Sequence, residues 1–111
     1  MSRLEKSGMY IEDGEQKIYS VEENPSTGYE WIVDKSACSE DIVSIDDDFE
    51  KAIVPEDYVG APGTKHFIFT GISEGSCEFR MAYARPWEFK WGDESTYNDD
   101  VEFISFPLSI G

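Results

Sequence analysis

A side-chain period of two is what most constrains this chain. In "CEFRMAY", Cys77, Phe79, Met81 and Tyr83 alternate with Glu78, Arg80 and Ala82. In "EFISFPLSI", Ile104, Phe106, Leu108 and Ile110 share one face, and Glu102 falls on it near the end. "YEWIVD" sets Tyr29, Trp31 and Val33 on one side, with Trp31 read as core. "KHFIFTGI" and "QKIYSV" also read as strands, "DIVSI" more weakly, and "MYIE" as a short edge strand. Such alternation buries one face of a strand, whereas an amphipathic helix needs a period of 3.6, and no stretch supplies it. Turn formers punctuate the runs: Asp13-Gly14, Asn24 to Gly28, Pro55, Gly60 to Gly63, Glu74-Gly75 and Pro86. Short strands with regular turn signals give an all-β sandwich or barrel.

The 111 residues make one domain's worth of chain, and 1–111 is read as a single domain. With 24 acidic against 9 basic residues the formal charge is −15. That opposes binding to nucleic acid and to anionic membrane surfaces. No apolar run approaches the ~20 residues of a membrane span. The start, "MSRLEKSGMYIEDGEQ", lacks the apolar core of a signal peptide. Cys38 and Cys77 do not make a disulfide framework. The expectation is a reduced cytoplasmic protein with two thiols. Lysosome-like vesicles or secretion are the alternative if the chain is a trimmed mature form.

Three connections stand out: residues 24–28, 59–64 and 85–99. If successive strands run antiparallel, an even number of strands separates each from the next. All three then cluster at one end, where antibody-like folds carry binding loops. In the first, Pro25 fixes its own φ, Gly28 permits a positive φ, and Asn24 can brace the turn. Ser26 and Thr27 are left at the tip with little freedom to lose. In the second, "VGAPGTKHF", Gly60 and Gly63 let backbone approach a partner closely. "GAPGTK" is no phosphate loop, because Thr64 precedes Lys65 where a Walker motif needs lysine directly after glycine. In the third, Arg85 and Trp87 are hot-spot residue types, and Pro86 stiffens the exit from the strand. Trp87, Phe89 and Trp91 in an acidic segment read as an exposed aromatic contact patch.

These stretches resemble the chagasin-type inhibitors of papain-like cysteine proteases, whose pattern is N-P-[ST]-T-G-[YF], then G-x-G-G, then R-P-[WF]. They stand here as Asn24-Pro25-Ser26-Thr27-Gly28-Tyr29, Gly60-Ala61-Pro62-Gly63 and Arg85-Pro86-Trp87, in order and at matching spacing. The resemblance spans about residues 15–110 and implies an immunoglobulin-like antiparallel β-sandwich. It further implies a wedge of three loops in the active-site cleft of a cathepsin-type protease. Ser26 and Thr27 would sit nearest the catalytic Cys/His pair, with Gly60 to Gly63 on one flank and Arg85 and Trp87 on the other. Inhibition would be reversible, competitive and tight, with no covalent adduct and no cofactor, by a monomer. Ser26 stands where many members carry threonine, and Pro62 replaces a glycine, removing an N–H.

Other classes fit less well. His66 is the sole histidine, and nothing marks either cysteine as an activated nucleophile, so the chain is read as no enzyme. Asp46, Asp47, Asp48 and Glu50 lack the glycine and spacing of an EF-hand, and Asn98, Asp99 and Asp100 read as solvated charge. An immunoglobulin-like adhesion or carbohydrate-binding module is the alternative, with the 85–91 aromatics stacking on sugar rings.

Overall fold

The alternating segments pair into two sheets. The computed structural model describes residues 8–51 and 63–111. Within these, the strands are β1 (Met9–Ile11), β2 (Gln16–Glu23), β3 (Glu30–Val33), β4 (Val43–Lys51), β5 (Gly63–Gly71), β6 (Gly75–Ala84) and β7 (Glu102–Ile110). One sheet has the order β1-β7-β6-β3 and the other β2-β5-β4. This is the immunoglobulin partition, with the first strand placed on the sheet that carries the last. β1 and β7 pair in parallel, and the other neighbours are antiparallel. Reversal at every connection requires this: strands an odd number apart meet antiparallel, and β1 and β7 are an even number apart.

The inward faces are those the alternation marks. Phe67 and Phe69 of β5, Phe79 and Met81 of β6, and Ile104, Phe106 and Leu108 of β7 are buried together with Ile11, Trp31 and Val43. The Phe69 and Phe79 rings meet edge to face at 5.0 Å, and Phe79 lies 5.2 Å from Phe106. Burying each such ring contributes about 1.5–3 kcal/mol. β4 runs past "DIVSI" through Asp46, Asp47 and Asp48. It is an edge strand with one face in solvent, so charge is compatible with pairing there and blunts the free edge. His66 lies on the outward face of β5, its Nδ1 2.7 Å from the Ser20 hydroxyl and its Nε2 3.1 Å from Glu50.

The cysteines are not two thiols. Cys38 and Cys77 form a disulfide with Cα atoms 5.3 Å apart across a chain separation of 39. It ties the β3–β4 connection to the start of β6. The loop is long, so the chain-entropy contribution is about 4 kcal/mol. The same connection is held by Asp34, which is buried and accepts from the Ser36 amide (3.1 Å), the Ser36 hydroxyl (2.7 Å) and Arg80. Burial opposes the Asp34 charge, but the Ser36 hydroxyl and amide and the Arg80 guanidinium outweigh it. The carboxyl is held below its ordinary value of 3.8.

Two outcomes follow from this pole. Replacing both cysteines by serine is expected to lower stability by about 2–4 kcal/mol in urea melts. A lowered carboxyl pKa contributes stability that is complete above the unfolded value and vanishes as pH falls through the folded one. Asp34→Asn is therefore expected to cost about 1–2 kcal/mol at pH 7. Its melts should also lose less stability than wild type as pH falls below about 4.

Candidate functional site

Strand register brings the ends of the loops together. Glu30 of β3 pairs with Ala84 of β6, so Tyr29 and Arg85 leave the sheet side by side. In the other sheet Gly63 pairs with both Glu23 and Lys51, so the residue before Asn24 lies at the same end. Gly60, Ala61 and Pro62 lie outside the described residues. Gly63 belongs to β5 and is buried, a correction to its reading as a loop contact. A Cβ on it would fall 2.5 Å from the Glu50 carbonyl oxygen and 2.5 Å from the Phe49 ring, so glycine is required there for packing.

The first loop closes on itself. Residues Pro25–Thr27 form one 3-10 turn. The Asn24 side-chain oxygen accepts from the Ser26 amide (3.2 Å) and hydroxyl (2.7 Å). The Asn24 carbonyl accepts from the Thr27 amide (3.2 Å) and hydroxyl (2.8 Å). The Thr27 hydroxyl oxygen in turn accepts from the Tyr29 amide at 3.2 Å. Ser26 and Thr27 are exposed, yet both hydroxyl protons are directed into the loop. Gly28 has φ +84°, a conformation that disfavours any residue with a Cβ.

Arg85 clamps the first loop to the third. Its Nε donates to the Thr27 carbonyl at 3.3 Å, and its guanidinium lies 4.8 Å from the centre of the Tyr29 ring. The Glu88 amide donates to the Arg85 carbonyl at 2.9 Å, closing a turn with Pro86 at its second position, where proline's fixed φ suits it. Trp87 is thereby thrust outward and is 71% exposed. Its ring lies over Gly28, where a Cβ would come within 2.8 Å of Cη2. Ser26, Thr27 and Trp87 thus form one contiguous exposed edge.

Phe89 and Trp91 are not part of a contact patch, a second correction. Phe89 is 6% exposed and packs on Ala82 and Ala84, with Trp91 half-buried beside it. The rings of Phe89 and Tyr97 stack at 5.2 Å, and Phe103 meets Phe89 at 6.0 Å. The Trp91 indole donates to the Ile32 carbonyl of edge strand β3 at 2.9 Å, and Arg80 covers its ring at 5.0 Å. The chain after Trp87 therefore folds back over the outer face of the β3-β6-β7 sheet. The two alanines there leave room for a second, smaller core. Asp93 caps the next short turn by accepting from Ser95. The Ser95 hydroxyl and amide hold the Asp93 carboxyl below its ordinary value.

Two supports were not singled out by sequence reasoning. The Tyr83 hydroxyl accepts from the Asn24 amide at 3.1 Å. Glu23 is buried and accepts from the Trp31 amide at 2.9 Å, while the Trp31 indole donates to the Glu22 carbonyl at 3.0 Å. A signal existed for Glu23: it continues the inward pair Tyr19 and Val21, where a carboxylate needs a donor.

The match to known proteins is in keeping with this geometry. Residues 10–101 match the chagasin family of peptidase inhibitors, I42. Amoebiasin-1 of Entamoeba histolytica is 32% identical over 78 residues, covering 69% of this chain and 72% of that protein. Amoebiasin-2 of the same organism is 33% identical over 66 residues, covering 59% and 51%. The solution structure of amebosin superimposes with a TM-score of 0.67 at 25% identity, covering 92% of this chain and 86% of that one. The crystal structure of the cysteine protease inhibitor EhICP2 from Entamoeba histolytica gives 0.68 at 22% identity, covering 96% and 91%. That second likeness speaks to the fold alone. The chain belongs to the chagasin family of peptidase inhibitors.

Gly28→Ala tests the packing of the edge. It is expected to cost about 1–2 kcal/mol from the left-handed φ alone. It should also move Trp87, read as a shift of that indole's N–H resonance with the Trp31 and Trp91 resonances unchanged.

Proposed function

We propose that this protein is a reversible, competitive, tight-binding inhibitor of papain-like cysteine proteases. Asn24 to Tyr29, Gly60 to Pro62, and Arg85 to Trp87 would serve as its binding loops. Family membership supports the inhibitor class, and PbICP-C, a structural neighbour with TM-score 0.63 at 16% identity over 92% of this chain and 84% of that one, was solved in complex with falcipain-2. The observation that carries the reading is the clamped edge of Ser26, Thr27 and Trp87.

Cleavage requires a carbonyl presented to the thiolate with an oxyanion hole behind it. In this loop the Asn24 carbonyl accepts two bonds from Thr27, and the Thr27 carbonyl is held by Arg85. A 3-10 turn with inward-held carbonyls obstructs a thiolate without offering it a substrate geometry. The ordering entropy of the loop is met on folding, which favours slow dissociation. An interface of about 1,600 Å² is typical of such complexes.

The adhesion or sugar-binding alternative loses its main feature, since Phe89 and Trp91 are packed inward and leave Trp87 without the stacked platform it needs. The Cys38–Cys77 bond favours vesicular or secreted residence over cytoplasm, because disulfides persist in oxidising compartments. Alkylation of protein taken from its source under non-reducing conditions tests that: labelling of both cysteines overturns it.

Titration of papain and a cathepsin tests the activity. Wild type is expected to inhibit stoichiometrically, with no cleavage after residue 26 or 27 on long incubation. Trp87→Ala should weaken inhibition by about 30-fold or more, and Ser26→Ala/Thr27→Ala by about 10-fold. Equal potency in all three sinks the proposed edge.

A further inference from the structure

We propose that Tyr83 is the positioning residue that sets the height and angle of the first loop on the inhibitory edge. This rests on the reading of that edge as the protease-binding surface. Tyr83 is the penultimate residue of β6 and belongs to its inward set. Its ring lies 4.7 Å from Trp31 and 5.4 Å from Tyr29, so packing fixes it from two sides. Its hydroxyl projects past the end of the core and accepts the Asn24 amide at 3.1 Å. Asn24 is the residue on which Ser26 and Thr27 hang, through its side-chain oxygen and its carbonyl.

Two residues on, Arg85 holds the other end of the same loop at the Thr27 carbonyl. Two further on, Trp87 lies over Gly28. Tyr83, Arg85 and Trp87 thus hold the entry, the exit and the flank of the first loop from a single stretch of chain. The loop's orientation is set by β6 as well as by its own turn. A loop that closed only on itself would keep its internal bonds yet swing as a unit about Asn24 and Tyr29. The Tyr83 hydroxyl removes that swing.

Tyr83→Phe retains the ring and removes the acceptor. Thermal melts of this variant are expected to fall within a few degrees of wild type. Hydrogen exchange of the Asn24 amide in the free protein should quicken about 10-fold or more, and papain should dissociate about 10-fold faster. A double-mutant cycle separates positioning from general loosening. The effect of Tyr83→Phe should shrink on top of Ser26→Ala/Thr27→Ala and stay full on top of Trp87→Ala. Wild-type exchange and dissociation rates in Tyr83→Phe overturn the inference, as does full additivity with the first-loop pair. If wild type fails to inhibit papain, the functional reading falls; unchanged Asn24 exchange in the variant still overturns the positioning role on its own.

Discussion

The pairing of β3 with β6 is the constraint on which the rest depends. Its register sets Glu30 against Ala84. Everything that makes an edge follows from that one alignment: Arg85 reaches Tyr29 and the Thr27 carbonyl, and Trp87 reaches Gly28. A slip of one residue would turn every side chain of the short strand β3 to the opposite face. Trp31 would leave the core and Tyr29 would leave Arg85. The buried bond from the Trp31 amide to Glu23 and the Trp91 indole on the Ile32 carbonyl both oppose such a slip from outside the ladder. A strand of four residues is thus registered mainly by what packs against it.

The first loop shows how a polar tip becomes stiff without burial. Exposed hydroxyls ordinarily exchange partners with water at little cost, and a single exposed bond contributes little. Here Asn24 accepts bonds from Ser26 and Thr27 that close small rings of chain. Few conformations satisfy all of them together, so the set is cooperative where each member is weak. The hydroxyl oxygens keep accepting capacity, so a donor on a partner can still be met. Their protons are engaged, so the loop presents a surface of acceptors and methyl to whatever faces it.

The strands were legible because alternation reports directly on burial, and each sheet has a solvent face outside the patch that Phe89 and Trp91 cover. The parallel β1–β7 pair also follows from parity once the number of strands is known. Other features depended on long-range contacts that no local pattern carries. The 85–91 aromatics read as exposed because their neighbours in the chain are charged. The charge faces solvent, while Phe89 and Trp91 turn onto Ala82 and Ala84, which alternation leaves as bland outward positions. The disulfide was illegible for a similar reason: only the fold brings the β3–β4 connection against β6. Tyr83 read as core, and its ring is packed as core; its second role lies in a hydroxyl that reaches beyond the sandwich.

The molecule separates its sources of stability from its working edge along one strand. Cys77 lies near the start of β6 and Ala84 at its end, a distance of about 23 Å at the usual rise per residue. The disulfide and the Asp34–Arg80 network fasten the first pole, and the phenylalanine core fills the middle. At the second pole the inward set of β6 gives way from packed rings to Tyr83, half ring and half hydrogen-bond acceptor, and then to Arg85 and Trp87. Crossing that boundary, burial yields to directional polar contacts. This is what an edge must do if it is to stay in one shape while leaving its own surface available to another protein. The core fixes where β6 ends, and the polar contacts carry that fixed position outward by one loop's thickness.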